Sequence, residues 1–151
     1  MLAIDPATKC GWAHSSGASG TWDLSIRRDE SSGMRLMRLE AKLIEIAAGI
    51  GFKTLVFEAA RHGASKMQGA LVVQAELQGV LKLFCEQRLM HYRGYSPTEL
   101  KKFATGKGNA SKQQVLAAAQ ARWPEKKVID DNEADALWLL ALAERDLQHN
   151  A

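Results

Sequence analysis

Cysteine is scarce in this chain. Cys10 and Cys85 are its only two, and they lie far apart in 151 residues. That spacing matches no zinc site, no dithiol motif and no disulfide scaffold. Two free thiols fit a reducing cytoplasm, which is the expected location. The four histidines (His14, His62, His91 and His149) show no ligand spacing either. Long hydrophobic runs are absent too, and nothing approaches the roughly 20 apolar residues of a membrane-spanning helix, so no membrane partner is expected. The N-terminus lacks a basic region followed by an apolar segment and a cleavage site, so no signal peptide is expected. Met1 abuts the first apolar run directly, which fits a natural start slightly upstream. Internal repeats, low-complexity tracts and linkers are missing as well. One domain over residues 1–151 follows, of a size that supports a real core. The phosphate-loop pattern G-x-x-x-x-G-K-S/T is not there, so Gly106 and Gly108 do not mark a nucleotide cradle.

What the chain does have is an ordinary globular composition and an uneven charge. Net charge is only +3. Residues 93–127 nevertheless carry eight basic side chains against two acidic ones, and residues 128–151 carry six acidic against one basic. A basic segment followed by an acidic one fits a polyanion held beside an acidic cluster. A merely uneven solvated surface has the same signature.

The periodicity predicts strands at residues 2–5, 10–14 and 20–24, joined by short turns into an antiparallel meander. Helical spacing follows from Met34 through Leu39, Leu43 and Ala47, ended by Gly49 and Gly51. Thr54-Leu55-Val56-Phe57-Glu58 reads as a buried strand. Residues 61–69 read as a loop, 70–87 as a long helix and 89–95 as a fifth strand. Ser96-Pro97-Thr98-Glu99 has the residues of a helix start, with Ser96 as N-cap and Glu99 closing a capping box. Asn109 or Ser111 caps the next helix, which Trp123-Pro124 ends. Asp130 to Asn132 offer caps for a last helix running to about residue 148. The expected class is α/β, a mixed five-stranded sheet with helices on both faces.

Three carboxylates stand out against this pattern. Asp5 ends the first apolar run, where Pro6 stops the strand. Glu58 ends the fourth strand in the same way. Asp135 sits inside the apolar run Ala134-Asp135-Ala136-Leu137-Trp138-Leu139-Leu140. A buried lone carboxylate is costly, and metal coordination relieves the cost. On a helix, Asn132 and Asp131 share the face of Asp135, and either adds an oxygen ligand. An all-oxygen set favours Mg²⁺ or Mn²⁺, and two such ions about 4 Å apart hydrolyse phosphodiesters. The plainer readings remain open: Asp5 capping its turn, Glu58 pairing with Arg61, and residues 130–133 serving the helix dipole.

At this point the chain resembles a known family, the RuvC-type Holliday-junction resolvases, nucleases of the RNase H-like fold. The resemblance spans nearly the whole chain. It rests on Ile4-Asp5-Pro6-Ala7, Val56-Phe57-Glu58, Gln74-Ala75-Glu76-Leu77-Gln78-Gly79-Val80, the basic stretches Tyr95 to Lys102 and Gly106 to Val115, and Ala134-Asp135-Ala136-Leu137. It implies Asp5, Glu58 and Asp135 as catalytic metal ligands. Asn132 occupies the fourth ligand position, where an amide replaces a carboxylate, so Asn132 and Asp131 both stay candidates. It implies Lys112 and Lys101 near the scissile phosphate, and a homodimer on branched, four-way DNA. Lys102, Lys107 and Arg61 are further candidate DNA contacts, with solvated surface the plain alternative. The sequence departs from the family at Ala7, where glycine is usual, and at residues 59–63, which lack the stacking aromatic.

The expected function is therefore a metal-dependent, structure-selective endodeoxyribonuclease using two Mg²⁺ or Mn²⁺ ions. The rivals are an RNase H-like nuclease acting on RNA–DNA hybrid or flap DNA, a non-catalytic junction-binding protein, and a sugar-kinase-like ATP fold. The last needs a second domain that 151 residues leave no room for.

Overall fold

The structure is a computed structural model, and it describes residues 1–60 and 68–151. Five strands form one sheet in the order β3-β2-β1-β4-β5. They are β1 (Leu2–Asp5), β2 (Lys9–His14), β3 (Ser19–Asp23), β4 (Thr54–Glu58) and β5 (His91–Tyr95). The first three make the antiparallel meander, and β4 and β5 add in parallel beside β1. The sheet is mixed, as the sequence predicts. Parallel neighbours need crossovers, and the helices α1 (Gly33–Ala48) and α2 (Gln68–Gln87) supply them. After β5 come α3 (Pro97–Thr105), α4 (Lys112–Arg122), a short 3₁₀ turn and α5 (Asp131–His149).

Side-chain alternation along the strands divides the interior into two cores. Leu2, Ile4, Leu55 and Phe57 face α1 and α2, where Leu39, Leu43, Leu77, Leu81 and Phe84 meet them. Ala3, Ala13 and Val56 face the opposite way, against α5 and its neighbours. Alanines on that face let α5 lie close to the sheet. Its run Ala136 to Leu140 is buried throughout, and Trp138 donates from Nε1 to the Val115 carbonyl at 3.3 Å.

The caps form where the residue types call for them. Ser96 and Glu99 make a complete capping box on α3, with Pro97 in its first turn. Ser111, rather than Asn109, caps α4, and Gln114 completes a second box. Asp130 caps α5, accepting from the Asn132 N–H.

Strands β2 and β3 each start one residue before the expected position, and two boundaries move by two residues. Among the described residues α2 spans Gln68–Gln87, so Gln68 and Gly69 belong to the helix and not to the expected loop. β5 begins at His91, not Leu89. Leu89 has φ 54° and ends α2 instead. Its N–H bonds the Glu86 carbonyl at 3.3 Å, and the Met90 N–H bonds the Cys85 carbonyl at 2.9 Å. This is the paired bonding that usually places glycine in the left-handed position. Leucine there is strained and 93% exposed. Leu89→Gly is expected to stabilise the protein by about 1 kcal/mol, raising the melting temperature by roughly 2–4 °C in a thermal denaturation scan.

Candidate metal centre and DNA cleft

The pleat that sorts the two cores also aims the acids. Asp5 has the parity of Ala3, and Glu58 that of Val56, so both point toward α5. Ile4 pairs with Phe57 in the parallel ladder, so the next residues, Asp5 and Glu58, leave the sheet side by side. The first turns of α5 then lower Asp135 onto them. One oxygen from each of Asp5, Glu58 and Asp135 lies within 4.8 Å of the other two. Among the described residues this is the group of acids, histidines or cysteines close enough to share a metal.

The cluster forms part of a cleft of about 460 Å³. Pro6, Leu71, Pro97 and Val115 give it apolar walls, while Gln74, Lys101, Lys112 and Asn132 bring polar groups. Lys101 comes in on α3, whose start is set by the Ser96 cap directly after β5. Lys112 is the first residue of α4, set by the Ser111 cap. Its Nζ lies 3.6 Å from the Asp131 carboxylate, and its side chain is mostly exposed. Of the two candidates for a fourth ligand, Asn132 thus lines the cleft while Asp131 faces Lys112. Lys102 and Lys107 are exposed and do not line it. Arg61, and with it the expected Arg61–Glu58 pairing, lies outside the described residues.

The electrostatics fit a cation. Burial pushes the Asp5 carboxyl well above its usual range, and the charges of Glu58, Asp135 and Asp131 push it further, against Lys112. Asp135 rises to about 8, again first through burial, then through Glu58 and Asp131, with Lys112 and Lys101 opposing. Three crowded carboxylates with only hard oxygen donors match Mg²⁺ or Mn²⁺. A testable consequence has a definite sign. Between about pH 4 and pH 8 the folded, metal-free chain holds protons that the unfolded chain releases, so its stability falls as pH rises through that window. Metal needs these groups deprotonated, so the Mg²⁺-induced rise in melting temperature is expected to grow over the same range. Scans with EDTA and with Mg²⁺ at several pH values check both slopes.

Some residues that shape the site carry no charge, and motif reading passed over them. Gly11 pairs with Asp5 in the antiparallel ladder. A Cβ built on Gly11 would sit 1.8 Å from the Asn132 carbonyl oxygen. The first turn of α5 rests on that bare backbone. A glycine inside a strand is itself the signal for such an approach. Ser19 on β3 adds a hydrogen bond to Glu133 at 2.8 Å, tying the same turn to the sheet edge.

Comparison with known proteins decides the family. The model of the family described as "Crossover junction endodeoxyribonuclease RuvC" matches residues 1–143. The chain belongs to the RuvC family. Curated relatives include the RuvC crossover junction endodeoxyribonuclease of Helicobacter pylori strain G27, 27% identical over 121 residues, covering 76% of each chain. That of strain J99 is 26% identical over the same coverage. Among solved structures, Thermus thermophilus RuvC superposes with a TM-score of 0.72 at 19% identity, covering 96% of both chains. The same organism's RuvC in complex with a Holliday junction substrate gives 0.70 at 17%, covering 92% of this chain and 90% of that one. The fold is thus that of RuvC, an RNase H-like fold. The activity is the family's, endonucleolytic resolution of Holliday junctions, and metal dependence is general to RuvC nucleases. Among the described residues no helix is long and apolar enough to cross a membrane.

Proposed function

We propose that Asp5, Glu58 and Asp135, with Asn132 as fourth ligand, hold two Mg²⁺ or Mn²⁺ ions and that the cleft above them takes one strand of a four-way DNA junction. The observation that carries this reading is the convergence of three remote carboxylates to within 4.8 Å. Bound there, divalent ions supply an activated water and charge stabilisation at the leaving oxygen. The side chains do the rest. The acids fix the geometry, with Asp5 buried at the base of the cleft and Glu58 and Asp135 half-buried along it. Lys112 and Lys101 neutralise phosphate charge that grows in the transition state. Asp131 holds the long Lys112 side chain beside the acids before DNA arrives. Lys102 and Lys107 extend the positive strip along the duplex arm, where each phosphate contact adds salt-dependent affinity.

A junction has two strands to cut, and a two-fold homodimer presents two clefts. The outward face of α2 is the proposed seam. Val72 and Leu83 are more than half exposed there, and Ala75 and Gly79 leave room for a second helix. The Holliday-junction complex of the Thermus relative supports the substrate assignment.

The test is a cleavage panel of four-way junction, fork and RNA–DNA hybrid, with Mg²⁺, Mn²⁺ or EDTA. Metal-dependent cutting that strongly prefers the junction is expected. Equal or better cutting of the hybrid would remove the resolvase assignment.

A further inference from the structure

The chain leaves the sheet just after Glu58. The last ladder bond runs from the Ala59 N–H to the Tyr95 carbonyl at 2.8 Å. Beyond it the backbone polar groups need other partners, because leaving them unpaired is costly. Two glutamines on α2 provide them. Gln78 Oε1 accepts from the Ala60 N–H at 3.0 Å. Gln74 Nε2 donates to the Glu58 carbonyl at 3.4 Å. Four residues apart, they share one face of the helix. Leu77 and Leu81 are fully buried beside them, so that face is anchored in the core.

The placement is specific. Glu58 and Ala60 flank the point where strand becomes loop, and Glu58 carries one of the three clustered carboxylates. Its side chain is only as well placed as its backbone. A glutamine amide is neutral at every working pH, so the clamp grips the backbone without adding charge to a crowded acidic site. Gln74 also lines the cleft. Both residues are polar interruptions beside the buried stripe of Leu77, Leu81 and Phe84.

We propose that Gln74 and Gln78 are positioning residues that fix the Glu58 backbone against Asp5 and Asp135 and thereby set metal affinity. This rests on the metal reading of the site. The clamp also ties the site to α2 itself, so anything that shifts this helix shifts Glu58.

The experiment compares the full-length parent with Gln78→Met, Gln78→Glu and the control Asp135→Asn. Two readouts need no catalysis: hydrogen exchange of the Ala60 amide, and the Mg²⁺ concentration giving half the maximal thermal shift. Methionine keeps the size and loses the acceptor. Gln78→Met is expected to expose the Ala60 amide and to raise the Mg²⁺ midpoint about tenfold, the scale of losing a group that orients a metal ligand. Glutamate keeps an acceptor for Ala60, so Gln78→Glu is expected to retain protection, with a midpoint at or below the parent's. A parent-like midpoint in Gln78→Met with the amide exposed would overturn the clamp. So would equal weakening in both variants, which marks a packing defect. Should Gln78→Met fail to fold, Gln74→Met carries the same expectation at smaller size, through the longer bond. Asp135→Asn separates the two readings. If it leaves the Mg²⁺ shift intact, the metal reading fails; if it abolishes the shift while Gln78→Met stays parent-like, only the clamp falls.

Discussion

Asp135→Asn is expected to lower junction cleavage by at least about 10³-fold, a loss of roughly 4 kcal/mol of transition-state stabilisation, while leaving junction binding largely intact. The same substitution is expected to stabilise the metal-free protein. Asparagine keeps the shape and removes a charge that the folded chain disfavours. The Asp135 carboxyl is pushed up to about 8 by burial and by Glu58 and Asp131. Above that pH the folded protein carries the full repulsion, and the substitution relieves it by on the order of 2 kcal/mol, a melting rise of several degrees in EDTA. Below about pH 4 the carboxyl is protonated in folded and unfolded chains alike, and the gain vanishes. The opposite signs make the pair of measurements decisive. An acid kept for a structural ion pair with Lys112 or Lys101 would lose stability when neutralised. An acid kept for a metal gains it. Cutting at the parent's rate, or a lower melting temperature in EDTA at pH 8.5, would sink the assignment.

The readable part of this protein was local or periodic. Leu2 to Asp5 and Thr54 to Glu58 announce buried strands because apolar runs stop at an acid. Pro6 and the Ser96-Pro97-Thr98-Glu99 box announce their boundaries by backbone chemistry alone. The mixed sheet follows, since a short meander followed by strand–helix–strand units leaves few alternatives. The unreadable part was relational. Asn132 and Asp131 both share a helical face with Asp135, so spacing along α5 could not separate them. What differs between them in the fold is their surroundings: Asn132 lines the cleft, while Asp131 sits against Lys112, which arrives from another helix. Leu89 read as strand because it is apolar and follows a helix. Its left-handed conformation is imposed by the end of α2, where a glycine would have been legible. Gln74 and Gln78 have no signature of their own, because their partners are backbone groups on β4 and just past its end.

Gly11→Ala should slow cleavage by on the order of 10²-fold, short of the loss of a ligand, though glycine has no side chain to offer to DNA or metal. The added Cβ would lie 1.8 Å from the Asn132 carbonyl oxygen and 2.3 Å from its carbon. No rotamer relieves this, because the conflict is between backbones. β2 cannot give way easily, since Gly11 is paired with Asp5 on one side and Thr21 on the other. The first turn of α5 must therefore rise off the sheet, carrying Asn132 and Asp135 away from Asp5 and Glu58. A displacement of about 1 Å is enough to cost on the order of 10²-fold in rate. Overpacking against a backbone is expected to cost about 2–4 kcal/mol of stability as well. Here the sign differs from Asp135→Asn: both variants cut more slowly, but the glycine variant melts lower in EDTA and the asparagine variant higher. Gly69→Ala is the control, because a Cβ there meets nothing within 4 Å among the described residues and alanine favours the helix. If Gly11→Ala cuts and melts like the parent while Gly69→Ala does the same, the close seat of α5 on β2 does not hold the acids in place.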